Sequence, residues 1–335
     1  MKLGSLKKIA VFASNSFSGS HGVDFLLEKT PARVIGISRS RELSPIFLPY
    51  LYQQKRPRRF SFYQLDINKD SRRIERILDK ERPELIINFL AQGNSQYSWN
   101  EPLDWFETNC LGMVKLLDIL RKKDYLKKYI QISTPEIYGD CRNFKENLYY
   151  FNPSNPYAAS KACADLFLLA LWKRFRFPVC FTRSANVYGS HQQLYRLIPR
   201  SIILLKKGQL IPLHGGGRFR RSFVHINDVI KGVGRVIEKG EPGQLYHFSN
   251  KPTTIKKIVQ LICQKMGRPF AQSVAISQAR AVQDRGYELD ISKARNKLGW
   301  QPQTTLAEGI EETIKWVENN WAELSTRPLE YIHQK

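Results

Sequence analysis

Short apolar runs recur along the first half of the chain, separated by stretches whose apolar positions return every three or four residues. KIAVFA (8–13), ARVIGIS (32–38), FSFYQL (60–65), ELIINFL (84–90) and KYIQIS (128–133) are short and rich in Ile and Val. Such runs predict strands buried on both faces, as in a parallel sheet. Between them, VDFLLEK (23–29) and the stretch from Trp105 to Lys122 have helical spacing. A helix over Pro156–Phe175 then leads into a strand at PVCFTRS (178–184). This alternation predicts an α/β fold, a doubly wound parallel sheet with helices on both faces.

After about residue 190 the pattern loosens. LIPLHGGG (210–217) ends in a glycine-rich turn, and TTIKKIVQLICQKM (253–266) and LAEGIEETIKWVENNW (306–321) belong to a mix of short strands and helices. The division predicted is a Rossmann-type dinucleotide-binding domain over 1–190 and a smaller α/β lobe, mainly for substrate, over 191–335. Strands or helices would be exchanged between the two. At 335 residues, 42% of them hydrophobic, the chain can bury a core of that size.

No apolar run approaches the ~18 residues of a membrane span. MKLGSLKKIAVF passes straight into strand-like pattern, unlike a secretory signal. The five cysteines show no CxxC pair and no histidine at zinc-ligand spacing. The expectation is a cytoplasmic protein with idle thiols and no metal. The net charge of +23 suits a phosphorylated substrate, nucleic acid or an anionic membrane surface. Its basic residues are spread along helices, without zinc finger, RNP-type stretch or basic tail. Solvated surface with a few phosphate ligands is the reading adopted, and nucleic acid is not the expected partner.

The first strand runs into FASNSFSGSHG (12–22). A dinucleotide-binding turn carries spaced glycines there, so that the backbone approaches a pyrophosphate at a helix N-terminus. Only Gly19 remains; Ala13 and Ser16 hold the two earlier glycine positions, and Phe17 and Ser18 complete the turn. Ala13 is tolerable if its backbone angles are ordinary, and the Ser16 hydroxyl can itself donate to phosphate. A polar strand-to-helix loop fits the same residues. At the end of the second strand, GISRSRE places Ser38 and Arg39 where a carboxylate would accept from NAD ribose. Serine and arginine can bind a 2′-phosphate, which tips the reading toward NADP; a merely solvated Arg39 leaves NAD open.

NPYAASKACAD (155–165) sets Tyr157 four residues before Lys161, on one helix face. A nearby ammonium would lower the phenol pKa so that Tyr157 acts as a base near neutral pH. One strand–helix unit earlier, ISTPEIYG (132–139) offers the Thr134 hydroxyl and the Glu136 carboxylate around Pro135.

With these motifs the chain resembles the extended short-chain dehydrogenase/reductases, and within them the nucleotide-sugar dehydratases of the dTDP-glucose and GDP-mannose 4,6-dehydratase types. The likeness runs from about Lys8 to Trp321. It is carried by QLDI (64–67), NFLAQ (88–92), ETN (107–109), STPEIYG (133–139), YAASK (157–161), SANVYG (184–189), RLIP (196–199), RRSFVHINDV (220–229) and KLGWQPQTTLAEGIEETIKW (297–316). The resemblance implies a tightly bound NAD or NADP, regenerated each cycle. Asp66 and Ile67 would flank the adenine, and Leu90 and Ala91 would line the cofactor groove with Gln92 and Asn109. Thr134 would bond the sugar's C4 oxygen, Tyr157 would take its proton, and Lys161 would hold ribose. Asn186, Arg196, Leu197, Arg221 and Arg285 would contact the nucleotide-diphospho-sugar, the last two arginines at its diphosphate. Asp228 reads as a cap of the helix after it. The helices from Trp105 and Pro156 imply a homodimer.

dTDP-glucose enzymes follow the threonine with Asp and Glu, whereas GDP-mannose enzymes lack the aspartate and use one acid/base group. Pro135 cannot donate a proton, so the resemblance implies that Glu136 acts alone. The activity expected is a lyase: C4 oxidation, loss of water across C5 and C6, and hydride return to give a 4-keto-6-deoxy sugar. A 4-epimerase or a 5,6-dehydratase of the same family is the alternative. The alternative outside enzymes is a dehydrogenase fold repurposed to sense cofactor or bind RNA.

Overall fold

The structure is a computed structural model that describes residues 1–54, 56–278 and 286–333. Its centre is a seven-stranded parallel sheet of order β11-β7-β5-β4-β1-β2-β3. The strands are β1 (Lys8–Phe12), β2 (Arg33–Ser38), β3 (Phe60–Gln64), β4 (Leu85–Asn88), β5 (Lys128–Ser133), β7 (Val179–Ser184) and β11 (Leu245–Phe248), with β6 (Cys141–Phe144) outside this sheet. The continuous apolar runs are explained by cover on both faces. One face packs Ile9, Val11, Ile87 and Ile130 against α1 (Phe17–Lys29) and α7 (Ile226–Lys239). The other packs Ala10, Ile35, Ile86 and Tyr129 against α2 (Ser71–Glu81), α4 (Met113–Leu120) and α5 (Pro156–Phe175).

The helix expected over Trp105–Lys122 starts earlier, as α3 (Pro102–Phe106). It passes through a π-helical turn at Glu107–Gly112 before α4. Cys110 of that turn and Cys163 of α5, expected as unpaired thiols, are joined in a disulfide with Cα atoms 5.7 Å apart.

The second lobe has its own core, in which α6 (Leu197–Lys206), α8 (Ile255–Lys265) and α10 (Leu306–Asn319) enclose Ile202, Ile258, Ile262 and Ile310. β8 (Asn186–Tyr188) and β10 (Arg220–His225) pair there in parallel, and β12 (Pro252–Thr254) adds to β10 antiparallel. α7 and β11, which lie beyond residue 190, complete the first lobe. The short helix α11 (Trp321–Leu324) is followed by a segment that crosses back to the sheet side.

Asp228, expected to cap α7, instead lies inside its first turn. Its carboxylate accepts the amides of Gln303 (3.1 Å) and Thr304 (2.9 Å), pinning the loop before α10. Among the described residues no helix is long and apolar enough to cross a membrane. None of their His, Cys, Asp or Glu groups clusters to hold a metal ion.

Candidate active site

The carboxyl ends of β1, β4 and β5 open onto one crevice, where a doubly wound sheet offers its binding site. On the β1 side, Ser16 caps α1: its hydroxyl donates to Ala13 O (2.7 Å) and accepts from Gly19 N (3.1 Å). That hydroxyl is committed to the turn, which corrects its expected role as a phosphate donor. Gly19 is needed sterically, since a Cβ there would stand 2.0 Å from Ala13 O. The amides of Phe17 and Ser18 have no acceptor among the described residues. A helix start with two unspent amides suits an anion such as a pyrophosphate, so the turn fits a dinucleotide.

Ala13 does not have ordinary angles. Its φ is +55°, a left-handed conformation that costs a residue with a Cβ about 1 kcal/mol. Ala13→Gly is therefore expected to raise the thermal midpoint by about 2 °C. A scanning melt of the two proteins checks this, and an unchanged or lower midpoint contradicts it.

Ser38 is buried, with its hydroxyl 3.3 Å from that of Ser14 and accepting Asn15 N at 3.2 Å. The Arg39 guanidinium donates to Gln92 Oε1 (3.1 Å). Both groups have protein partners, so neither argues for a 2′-phosphate. Asp66 takes Asn68 N (2.9 Å) in a local turn, and Ile67 is buried in the core beside it. Leu90 is half-buried and Ala91 is exposed just past β4. Asn109 reaches back to this loop rather than outward. It accepts Gln92 N (2.7 Å) and donates to Gln92 O (3.1 Å) and to Ser160 Oγ (3.0 Å).

Thr134 follows directly on β5, and its hydroxyl accepts the Glu136 amide (3.2 Å) as the cap of a 3-10 turn over Pro135–Tyr138. Pro135 is the first residue of that turn, where a missing N–H costs nothing and a fixed φ helps. Glu136 accepts from Asn155 Nδ2 (3.3 Å), and Asn155 Oδ1 accepts Ala158 N (2.9 Å) as the cap of α5. One asparagine thus starts the helix and holds the carboxylate. Its signal in the sequence was the Asn-Pro step before the tyrosine, and sequence reasoning passed it over.

Tyr157 is the second residue of α5. Thr134 and Glu136 both lie close enough to act on its hydroxyl, Thr134 favouring the ionised form and the Glu136 charge opposing it. Lys161, buried, donates to Ile132 O (3.1 Å) and Leu90 O (3.4 Å). Burial pulls its ammonium down to about 8, against the opposing pull of Asp165. The expected lowering of the tyrosine pKa does not occur. Burial and the Glu136 charge raise it, with Thr134 and Arg196 opposing them; the Lys161 ammonium donates to backbone carbonyls. Beneath them, Asp165 accepts from Ser133 Oγ (2.7 Å) and pairs with the buried Arg183 (3.0 Å), holding β5, β7 and α5 together. None of these three residues was foreseen.

The substrate-side candidates lie across the crevice. Asn186 donates to Ser222 O (3.1 Å), Arg221 to Arg220 O (3.0 Å), and Arg196 sits over the Tyr195 ring (5.1 Å) before Leu197, the first residue of α6. Arg196 also acts on the Tyr157 charge, which sets it near the hydroxyl cluster. Arg285 lies outside the described residues.

The sequence profile of the GDP-mannose 4,6 dehydratase family matches residues 15–313. The mouse dTDP-D-glucose 4,6-dehydratase is 31% identical over 323 residues, covering 94% of this chain and 90% of that protein. Among solved structures, the Streptomyces venezuelae dTDP-glucose 4,6-dehydratase with NAD bound superposes with a TM-score of 0.86 at 28% identity, over 94% of this chain and 98% of that one. A Thermotoga maritima UDP-glucose 4-epimerase, solved with UDP-glucose, superposes with a TM-score of 0.84 at 26% identity, over 94% and 99%.

Proposed function

This chain belongs to the GDP-mannose 4,6 dehydratase family, and from that premise we propose that it converts a nucleotide-diphospho-hexose to a 4-keto-6-deoxy sugar by loss of water. The observation that carries the reading is Glu136, held by Asn155 beside the Thr134–Tyr157 hydroxyl pair. The NAD-bound relative supports NAD as the cofactor, and the protein partners of Ser38 and Arg39 offer NADP no separate support.

A bound oxidised nicotinamide would supply the hydride acceptor at C4 and the donor at C6, and its positive charge would favour the tyrosinate. Tyr157 takes the C4 hydroxyl proton while Thr134 orients that oxygen. Lys161 steadies the site and the ribose. The resulting ketone acidifies the C5 hydrogen. Glu136 removes that proton and then gives it to the departing C6 hydroxyl, so one carboxylate serves as base and then acid. Once hydride is restored at C6, C5 takes a proton from solvent by way of Glu136, and Tyr157 releases to solvent the proton it took from the C4 hydroxyl. Asn186, Arg196, Leu197 and Arg221 bind the nucleotide diphosphate end, with Arg285 joining them. A homodimer is proposed through α3, the π-turn and α5, which expose Leu103 (82%), Leu111 (56%) and Leu166 (50%). Apolar side chains that large on neighbouring helices suit a helix-to-helix interface.

Incubation with UDP-, dTDP-, GDP- and CDP-hexoses tests the activity. One of them should lose water and give a 4-keto product that absorbs in alkali. A C4 isomer of unchanged mass would make the protein an epimerase. Salt-dependent RNA binding without turnover on any sugar nucleotide would overturn the enzyme reading.

A further inference from the structure

After α11 the chain leaves the second lobe and runs back over the crevice, making contacts on both sides. On the substrate side, Glu330 accepts from Arg200 of α6 (2.7 Å), and the Tyr331 ring meets Tyr195 edge-on at 5.2 Å. On the cofactor side, Tyr331 packs on Tyr97 (5.3 Å). The His333 imidazole packs near-parallel against Tyr97 (5.0 Å, 23°) and the fully buried Trp105 (5.1 Å, 9°), which themselves lie 6.2 Å apart, closing a cluster of three rings. One His333 nitrogen lies 2.6 Å from Asp104 Oδ2 and the other 3.2 Å from Gln92 Nε2. Gln92 in turn accepts from Arg39 at the end of β2. Contacts therefore run unbroken from α6 through the C-terminal segment to the two side chains that border the cofactor groove.

We propose that Tyr331 and His333 are positioning residues for that groove: residues 328–333 strap the two lobes together across the crevice and fix Gln92 and Arg39, so that the bound dinucleotide is retained from one turnover to the next. The proposal rests on the nicotinamide-dependent reading above and extends it to a part of the chain outside every motif that carried that reading. Its chemical sense follows from the reaction. Hydride leaves C4 and comes back at C6, so the cofactor ends each cycle as it began and has no need to exchange. A strap that hinders release does not slow such a cycle, whereas it would throttle a dehydrogenase that discharges its cofactor every turn.

The test compares the full chain, the Tyr331→Ala/His333→Ala double variant, Tyr331→Phe, and a chain ended after Arg327. Each is loaded with radiolabelled NAD, and loss of label is followed after excess unlabelled NAD is added. The double variant and the shortened chain should release label roughly tenfold faster or more. Their defect should appear in the KM for added NAD rather than in kcat. Tyr331→Phe, which keeps the ring contacts, should retain label like the full chain. Equal release from all four proteins overturns the proposal. So does slower release or tighter binding after removal of the segment, which would make it a plug. If the full chain binds no nicotinamide dinucleotide, the functional reading falls and the strap with it; normal retention by every variant removes the strap alone.

Discussion

Glu136→Gln should still oxidise a bound nucleotide sugar at C4 but lose dehydration by about 10²–10⁴-fold, or ~3–5 kcal/mol of transition-state stabilisation. The two half-reactions use different groups. Oxidation requires the Thr134–Tyr157 pair, which the substitution leaves alone. Elimination requires a carboxylate that can take a proton and return it, and an amide can do neither. Glutamine keeps the size of the side chain and an oxygen for Asn155 Nδ2, so the turn over Pro135–Tyr138 should persist. The signature is accumulation: added substrate should leave the reduced nicotinamide absorbing in the near ultraviolet, with no 6-deoxy product. Exchange of the C5 hydrogen with solvent deuterium should disappear in parallel. Full turnover by the variant would remove Glu136 from the elimination step.

Stability should fall steeply below about pH 6.5. Burial drives the His21 imidazole down to about 3, helped by the charge of His191 and opposed by the Ser190 carbonyl. Burial, with Arg183 nearby, takes His247 to about 3 as well. His247 holds the hydroxyl of Tyr138, in the same turn as Glu136, at 2.8 Å. Both histidines stay neutral in the folded chain at acidities where the unfolded chain takes up protons. The protein is thus at full stability above the ordinary histidine pKa and loses it as pH falls toward 3. The slope is ~1.4 kcal/mol per pH unit for each residue, and about 4 kcal/mol for the pair by pH ~5. Thermal midpoints recorded from about pH 7.5 to about pH 5 should drop accordingly, and His21→Asn should flatten the curve. A pH-independent midpoint over that range would contradict the assignment.

The sheet was legible because six of its seven strands are short runs in which apolar residues predominate, a pattern that burial on both faces favours. The seventh, LYHF (245–248), is short and carries a histidine whose partners, Tyr138 and Asp290, are far away in the sequence. The π-turn was invisible because a one-residue bulge hardly changes helical spacing over the segment. Thr134, Glu136, Tyr157 and Lys161 could be nominated from the sequence because each sits at a fixed distance from a strand end or helix start. What escaped depends on contacts between distant segments or on local backbone angles. Asp165 with Arg183, the C-terminal segment against Gln92 and the left-handed Ala13 are of this kind. The tyrosine pKa was misjudged for a related reason, since the one-turn spacing to Lys161 says nothing of how deeply the phenol is buried or of the Glu136 charge beside it.

Asn155 joins two requirements in one side chain. Aspartate there could cap the helix but would set a second negative charge against Glu136; serine could cap it but falls short of the carboxylate; glutamine would reach but caps poorly. The Asn155 amide therefore ties the Glu136 carboxylate to the start of the helix that carries Tyr157, and any drift at this position moves both in the same stroke.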